Sequence, residues 1–414
     1  MHRRFVSLAM ALALMATAMG GLMSARAQET TEITYFTFSA GSDQVDTLEA
    51  MIALFEEANP GITVNVEVAP FNDYFTELQT RIAGGNAPDV FELNYENFVT
   101  YASREVLLDL TERAAADPEF TARFYPKAYE AFNLDGARYG LPGSFSNVIL
   151  YYNQDLFDAA GVAYPTADWT WEDELTAAQQ LTNTDADVWG MYAPIAYNEF
   201  YKTAAQNGCG IFGADGAVTI NEPGCVEALQ FMVDAVNNGV QPSPADLAGV
   251  SDSDLFLQGK LAMATTGIWM FSAFSEAEFN WDIALEPGNT EVAHHFFSNA
   301  VVVSRDTEKV DAAWAWASFF TSSPDVARLR IAANWELPAL SDQTLFDEWL
   351  AIEPPASRQV VFDALDTLIT PPATTQQAQV QDIIDAQIER VLAGDATAQE
   401  ALDTAKTEIE GLAE

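Results

Sequence analysis

The side chains in this sequence that are able to do chemistry are carboxylates, indoles and phenols. It has 61 Asp and Glu, nine Trp and 13 Tyr, but only three His and two Cys. Two carboxylates about 5 or 6.5–9.5 Å apart in an aromatic cleft are what glycoside hydrolysis requires, so composition leaves that reaction open. Other reactions find little support. His294 and His295 are adjacent, and successive residues of an extended chain point to opposite sides, so they lack the spacing of a zinc-binding pair. No G-x-S-x-G elbow accompanies them to complete a serine triad. Gly208-Cys209-Gly210-Ile211-Phe212-Gly213 fits the dinucleotide fingerprint by letter. It follows a helical stretch and precedes strand-like Ala217–Ile220, the wrong context for that motif. No cofactor and no metal is expected.

The start of the chain sets the compartment. Arg3 and Arg4 precede the apolar run Phe5–Leu22, and Ala25-Arg26-Ala27 is a small-x-small cleavage site, the pattern of a secretory signal peptide over residues 1–27. No Cys follows the run to carry a lipid anchor, so a periplasmic or secreted protein is expected. With 18 Lys and Arg the net charge is -43, and loss of the three leader arginines makes it more negative still. Such a charge excludes nucleic acid, whose binding rests on basic contacts to phosphate, and disfavours anionic membranes and ligands. An acidic, solvated surface is the simpler meaning. Cys209 and Cys225, in an oxidising compartment, are expected to close a short loop by a disulfide contributing about 3 kcal/mol.

The elements that must position any site follow from periodicity. Ile33–Phe38 reads as a strand; Leu48, Met51, Ile52 and Phe55 share one helical face; Ile62, Val64, Val66 and Val68 alternate with polar residues. This βαβ order predicts parallel strands, with the loop after the first strand, Ser39–Gln44, at the carboxyl edge where ligands of open α/β sheets bind. Val90–Leu93 predicts a third strand delivering Asn94, Tyr95 and Glu96 to that edge. Tyr139–Asn153, YGLPGSFSNVILYYN, leads from one α/β unit into another, with Ser144, Phe145, Ser146 and Asn147 on the floor between them. Further strands are expected at Trp189–Ala193, Gly259–Thr265 and Phe297–Ser304, a crossing at Asn334–Pro338, and helices over Gln376–Ala393 and Thr397–Leu412.

Five stretches in this order resemble the extracellular solute-binding proteins of ABC importers, in the carbohydrate-binding family that includes maltose-binding protein. They are LFEEANPGITVNVE, GGNAPDVFELNY, YGLPGSFSNVILYYNQDLFDAAGV, FLQGKLAMATTGIWM and VSRDTEKVDAAWAWASFFTSSPDVAR. The resemblance implies an α/β, two-lobe periplasmic-binding-protein fold, type II-like, with three interlobe crossings. Lobe 1 is expected over residues 28–142 and 297–335, and lobe 2 over 143–296 and 336–414. It further implies a monomer that closes over a sugar or oligosaccharide and delivers it to a membrane permease, catalysing nothing. Two departures predict a pocket of altered shape: His294-His295-Phe296-Phe297 where many members carry a Gly pair, and the bulky Asn334-Trp335-Glu336.

A sugar presents hydroxyls at its rim and C–H patches on its faces, so its site needs flat rings beside planar polar groups. Trp269, just past a strand and Gly267, is the expected stacking platform, as the family has an aromatic there; Trp335 and Tyr95 are the next. Asp43, Gln44, Asn94 and Asn147 are the polar candidates, set against turn or cap roles common to such residues. Glu336 and Glu92 are candidate acceptors for paired hydroxyls, and Tyr197 and Phe145 candidate apolar walls. Trp171, Trp314 and Trp316 are read as structural. A polyamine or other cation would also suit acids beside aromatics, and is the main alternative ligand. Tyr151-Tyr152 would suit iron but lies inside an apolar strand.

Overall fold

In the computed structural model, residues 30–41 and 44–412 are described; the expected signal peptide and Asp43 lie outside them. The strands are β1 (Thr31–Thr37), β2 (Ile62–Val68), β3 (Val90–Asn94), the short pair β4 (Asn133–Leu134) and β5 (Ala137–Arg138), β6 (Gly140–Ser146), β7 (Val148–Asn153), β8 (Met263–Gly267), β9 (Trp281–Ala284), β10 (His294–His295), β11 (Phe297–Val303) and β12 (Leu368–Ile369). They build a five-stranded sheet in the order β2-β1-β3-β11-β6 and a three-stranded sheet in the order β8-β7-β9. β1 is parallel to both β2 and β3, so the loops after these strands share one edge. β11 returns from far along the chain and inserts antiparallel between β3 and β6. The smaller sheet is antiparallel throughout.

The helix Val45–Ala58 buries the expected Leu48, Met51, Ile52 and Phe55, because an apolar stripe at helical spacing must face the sheet. Thr170 and Asp173 form a reciprocal capping box at the start of Trp171–Leu181, satisfying backbone donors that the first helical turn leaves unpaired. Cys209 and Cys225 are joined as a disulfide, tying the hairpin-like Phe212–Val218 turn to the helix Pro223–Asn237.

The chain passes from the larger sheet to the smaller at Asn147, between β6 and β7. β6 stays paired with β11 up to Ser146, past the division expected at residue 142. β7 is buried along its whole length. A second passage runs from β9 through β10 to β11. The third follows the helix Pro324–Ala332, where Phe145 N–H donates to Leu337 O at 2.9 Å, and leads to the helices Gln377–Leu392 and Ala398–Leu412. These last two pack with Phe200, Leu229 and the disulfide in one core.

Trp189–Ala193 is not a strand. It runs beside the stretch that leads into β8 and exchanges backbone hydrogen bonds with it, among them Trp189 N–H to Lys260 O at 2.9 Å, Met263 N–H to Gly190 O at 3.1 Å and Tyr192 N–H to Met263 O at 3.0 Å, while Met191 N–H donates to Val240 O; the one regular bridge is Trp189 with Leu261. Gly190 is pressed against the helix Trp171–Leu181 so closely that a Cβ would lie 2.0 Å from Ala178 O.

Candidate functional site

The carboxyl edge of the larger sheet carries a buried charge cluster. Glu92 of β3 accepts hydrogen bonds from Thr37 Oγ1 and from the N–H groups of Phe38 and Ser39. Burial, then the neighbouring Glu336, push its carboxyl up to about 7. Glu336 arrives from the third passage, accepting from Ser144 Oγ at 2.7 Å and from Asn299 Nδ2 at 3.2 and 3.3 Å. Its side chain keeps 12% of its surface exposed. Arg330, buried, places Nη1 3.7 Å from the Glu336 carboxylate. Its guanidinium sits 4.3 Å from the centre of the Trp335 ring. Burial lowers the Arg330 pKa while Glu336 and Glu92 oppose that shift. The cluster holds two carboxylates against one guanidinium, so it can accept hydroxyl hydrogen bonds without the repulsion of two uncompensated acids.

A second group gathers where the helix Tyr95–Ser103 meets the helix Gln377–Leu392. Asn94 ends β3 and its Oδ1 accepts from Asn97 Nδ2 at 2.9 Å. Tyr95, half-buried, has Thr370 beside its hydroxyl. Glu96 is buried, and burial pushes its carboxyl up to about 7; its charge acts on both Tyr197 and Tyr201. Tyr197 is enclosed, accepting from Gln377 Nε2 at 2.9 Å. Among the described residues, Glu96 Oε2, Tyr201 OH, Gln377 Oε1 and His295 Nδ1 are all buried without a hydrogen-bond partner. Buried polar atoms without a partner are uncommon in folded proteins.

A line of rings leads out from this group. Tyr197 and Tyr201 are 5.4 Å apart at their centroids, Tyr201 and His295 5.3 Å, His295 and Phe297 5.0 Å in a stack, and Phe297 and Trp269 5.9 Å. Trp269, on the short turn after β8, is 38% exposed. Its ring folds back over Gly267, where a Cβ would stand 1.9 Å from the indole, so a glycine is needed for that pose.

The structure thus brings Glu336, Trp335 and Glu92 together at the sheet edge, with Asn94 ending the same strand β3. It places Tyr95 and Tyr197 on either side of the helix junction, and leaves Trp269 open at the end of the ring series. Trp335 is buried beneath Arg330 and presents little surface of its own. Phe145 is buried near Tyr125. Asn147 is buried at the first passage, its Nδ2 donating to Val361 O at 2.8 Å while Oδ1 has no partner among the described residues. Gln44 immediately precedes the helix Val45–Ala58, its N–H donating to Gly41 O at 3.0 Å. Asp43 lies outside the described residues. Tyr151, far from solvent, donates to Gly267 O at 2.9 Å, which makes it part of the strand packing.

Several site residues escaped the sequence reading. Glu96 was expected at this edge beside Tyr95 but without a role; Tyr201 lies one helical turn past Tyr197, so local spacing was a usable signal. Arg330, Asn299 and Gln377 carry no local signal. Behind Tyr201, Lys202 is clamped between Glu199 and Glu286. Burial, then opposed by Lys202, pushes the neighbouring Glu174 up to about 8.

Comparison with known proteins adds an independent line. The family model described as bacterial extracellular solute-binding protein matches residues 41–327. A putative binding protein of Brucella abortus is 28% identical over 64% of this chain, and the chain spans 66% of that relative's length, just under two thirds. A maltodextrin-binding protein of Bacillus subtilis is 25% identical over 73% of the chain and 72% of its own length. Among solved structures, an ABC substrate-binding protein of Listeria monocytogenes in complex with cycloalternan has a TM-score of 0.90 and 47% identity, covering 92% of this chain and 99% of its own. A maltose-bound protein of T. maritima has a TM-score of 0.81 at 20% identity, over 92% of this chain and all of its own (100%), and shows the fold alone.

Proposed function

Since the chain belongs to the bacterial extracellular solute-binding proteins, we propose that it captures a neutral oligosaccharide outside the cytoplasm and presents it to the permease of an ABC importer, without transforming it. The observation that carries this reading is the family match together with a line of rings that ends in an open indole at Trp269. A sugar needs a flat ring for its C–H face beside groups that take up its hydroxyls; the open indole of Trp269 and the partly exposed Glu336 carboxylate support that reading. The cycloalternan held by the Listeria protein supports a glucose-based tetrasaccharide as ligand. A cationic ligand is less well served, because Arg330 already faces Glu336 and burial holds Glu96 in its neutral form up to about neutrality.

In this reading the two sheets and their helices are lobes, hinged at Asn147, between β9 and β11, and at residues 333–337. Ligand touching both lobes favours the closed state because it binds that state more tightly. Export would follow from the leader at residues 1–27. Isothermal titration with cycloalternan and maltotetraose, beside spermidine, tests the proposal. Saturable binding of a tetrasaccharide and none of spermidine is expected. Binding of spermidine alone, or steady hydrolysis of either sugar, would overturn it.

A further inference from the structure

Arg138 is one of only 18 Lys and Arg in a chain of net charge -43, and it is buried, with 6% of its surface exposed. It ends β5, where its N–H donates to Thr111 Oγ1 at 2.9 Å and its carbonyl accepts from Leu110 N–H at 2.7 Å, fixing its backbone at the start of the short helix Thr111–Ala115. Its guanidinium lies over the Tyr129 ring, 3.3 Å from the centre, and Nη1 donates to Tyr129 O at 2.5 Å. Phe124 is stacked against the same phenol at 5.4 Å, so the charged plate is held in one orientation. Burial lowers the Arg138 pKa, opposed by Tyr129 and Glu130. Yet no ion pair among the described residues includes Arg138. The acids nearby in the chain are engaged elsewhere: Asp109 accepts from Thr111, Asp117 from the Glu119 N–H and Glu130 from Asn133.

Arg138 and Tyr129 form part of the wall of a hollow of about 370 Å³, within the size range of small-molecule sites. Ala114, Ala115 and Pro118 line it with apolar carbon. None of its lining residues belongs to the sheet-edge cluster or to the line of rings that ends at Trp269. We propose that this hollow is a second ligand site, separate from the sugar site, which takes a small organic monocarboxylate, with its charged end on the Arg138 guanidinium and its short apolar body along Ala114, Ala115 and Pro118. A buried cation lacking a protein counter-charge gains from an anion, and the planar fork of a guanidinium matches a carboxylate through two parallel hydrogen bonds. An inorganic anion would use the cation and leave the apolar wall uncovered; a neutral apolar molecule would do the reverse. The acidic surface repels anions from a distance, and a single charge on an apolar body meets less of that repulsion than a multiply charged ion.

Butyrate is the probe, beside butyramide, which has a similar shape without the charge, and inorganic phosphate. Ligand-observed NMR on the full chain, by proton signals for the organic probes and phosphorus for phosphate, reads the binding. Saturable binding of butyrate in the millimolar range is expected, with none of butyramide. Arg138→Met should weaken it by at least about tenfold. Ala115→Trp, which fills the hollow from an exposed position, should do the same with Arg138 in place, and carries the test alone if the buried substitution fails to fold. Equal binding of butyramide, tighter binding of phosphate, full butyrate affinity in Ala115→Trp, or no butyrate binding to the wild type would each overturn the proposal. Displacement of butyrate by cycloalternan would also overturn it, by putting both ligands in one site. Failure of cycloalternan to bind would count against the sugar reading alone.

Discussion

At the scale of the residue, the site depends on how charge is handled out of water. Arg330 is the one cation facing Glu336 and Glu92 in their cluster, and removing one partner of a buried pair costs about 3–5 kcal/mol. Arg330→Met should lose stability on that order in urea unfolding, and lose more at pH 8 than at pH 5, where a proton can take the place of the missing charge. Equal losses at the two pH values would show that Arg330 acts through packing on Trp335 alone. Glu96 gives a second prediction. Its carboxyl is raised from 4.5 to about 7 by burial, so the folded state holds the proton more tightly than the unfolded one. Stability contributed by this residue is full below about pH 4.5 and falls as pH rises through 7, by about 3 kcal/mol. Glu96→Gln has no such loss, so it should gain on the wild type between pH 5 and pH 8. His294 and His295, lowered by burial, favour the opposite direction, but they are common to both proteins and cancel in the comparison. A difference that does not change with pH would place Glu96 in water.

At the scale of the element, β8 and the turn after it set the exposed indole. Trp269→Ala should weaken oligosaccharide binding at least tenfold with little change in melting temperature, since the side chain is open to solvent. Gly267→Ala forces the ring off its own strand, because the new methyl would sit where the indole now lies. It should reproduce much of the same loss although no ligand contact is deleted. Unchanged affinity in both variants would remove this turn from the site. The βαβ unit was legible because alternating Ile62, Val64, Val66 and Val68 and the helical stripe from Leu48 to Phe55 obey two distinct periods. Trp189–Ala193 pairs beside the stretch leading into β8 as its apolar character suggests, yet Gly190 also lies close against Ala178 of a helix, a contact that no local pattern records.

At the scale of the molecule, three passages between two sheets make a hinge, and a ligand reaching both sides should close it. Small-angle scattering is expected to show a smaller radius of gyration when the protein is saturated with the tetrasaccharide it binds. No change on saturation would mean that the ligand sits on one lobe. A neutral sugar carries no charge for the protein's negative charge to act on, so added salt should alter sugar affinity little.

By itself the sequence determined most of the alternation of strands and helices, the disulfide, the indole after Gly267 and the family likeness, all features written in neighbouring residues or in their order. Only the tertiary structure decided which distant groups share a site. Arg330 meets Glu336 and Glu92, and Gln377 meets Tyr197, because β11 inserts between β3 and β6 and the last helices fold back across the junction. The meetings of Glu92 with Arg330 and Glu336, and of Tyr197 with Gln377, follow from long-range packing, whose partners lie far apart in sequence and leave no period in the chain.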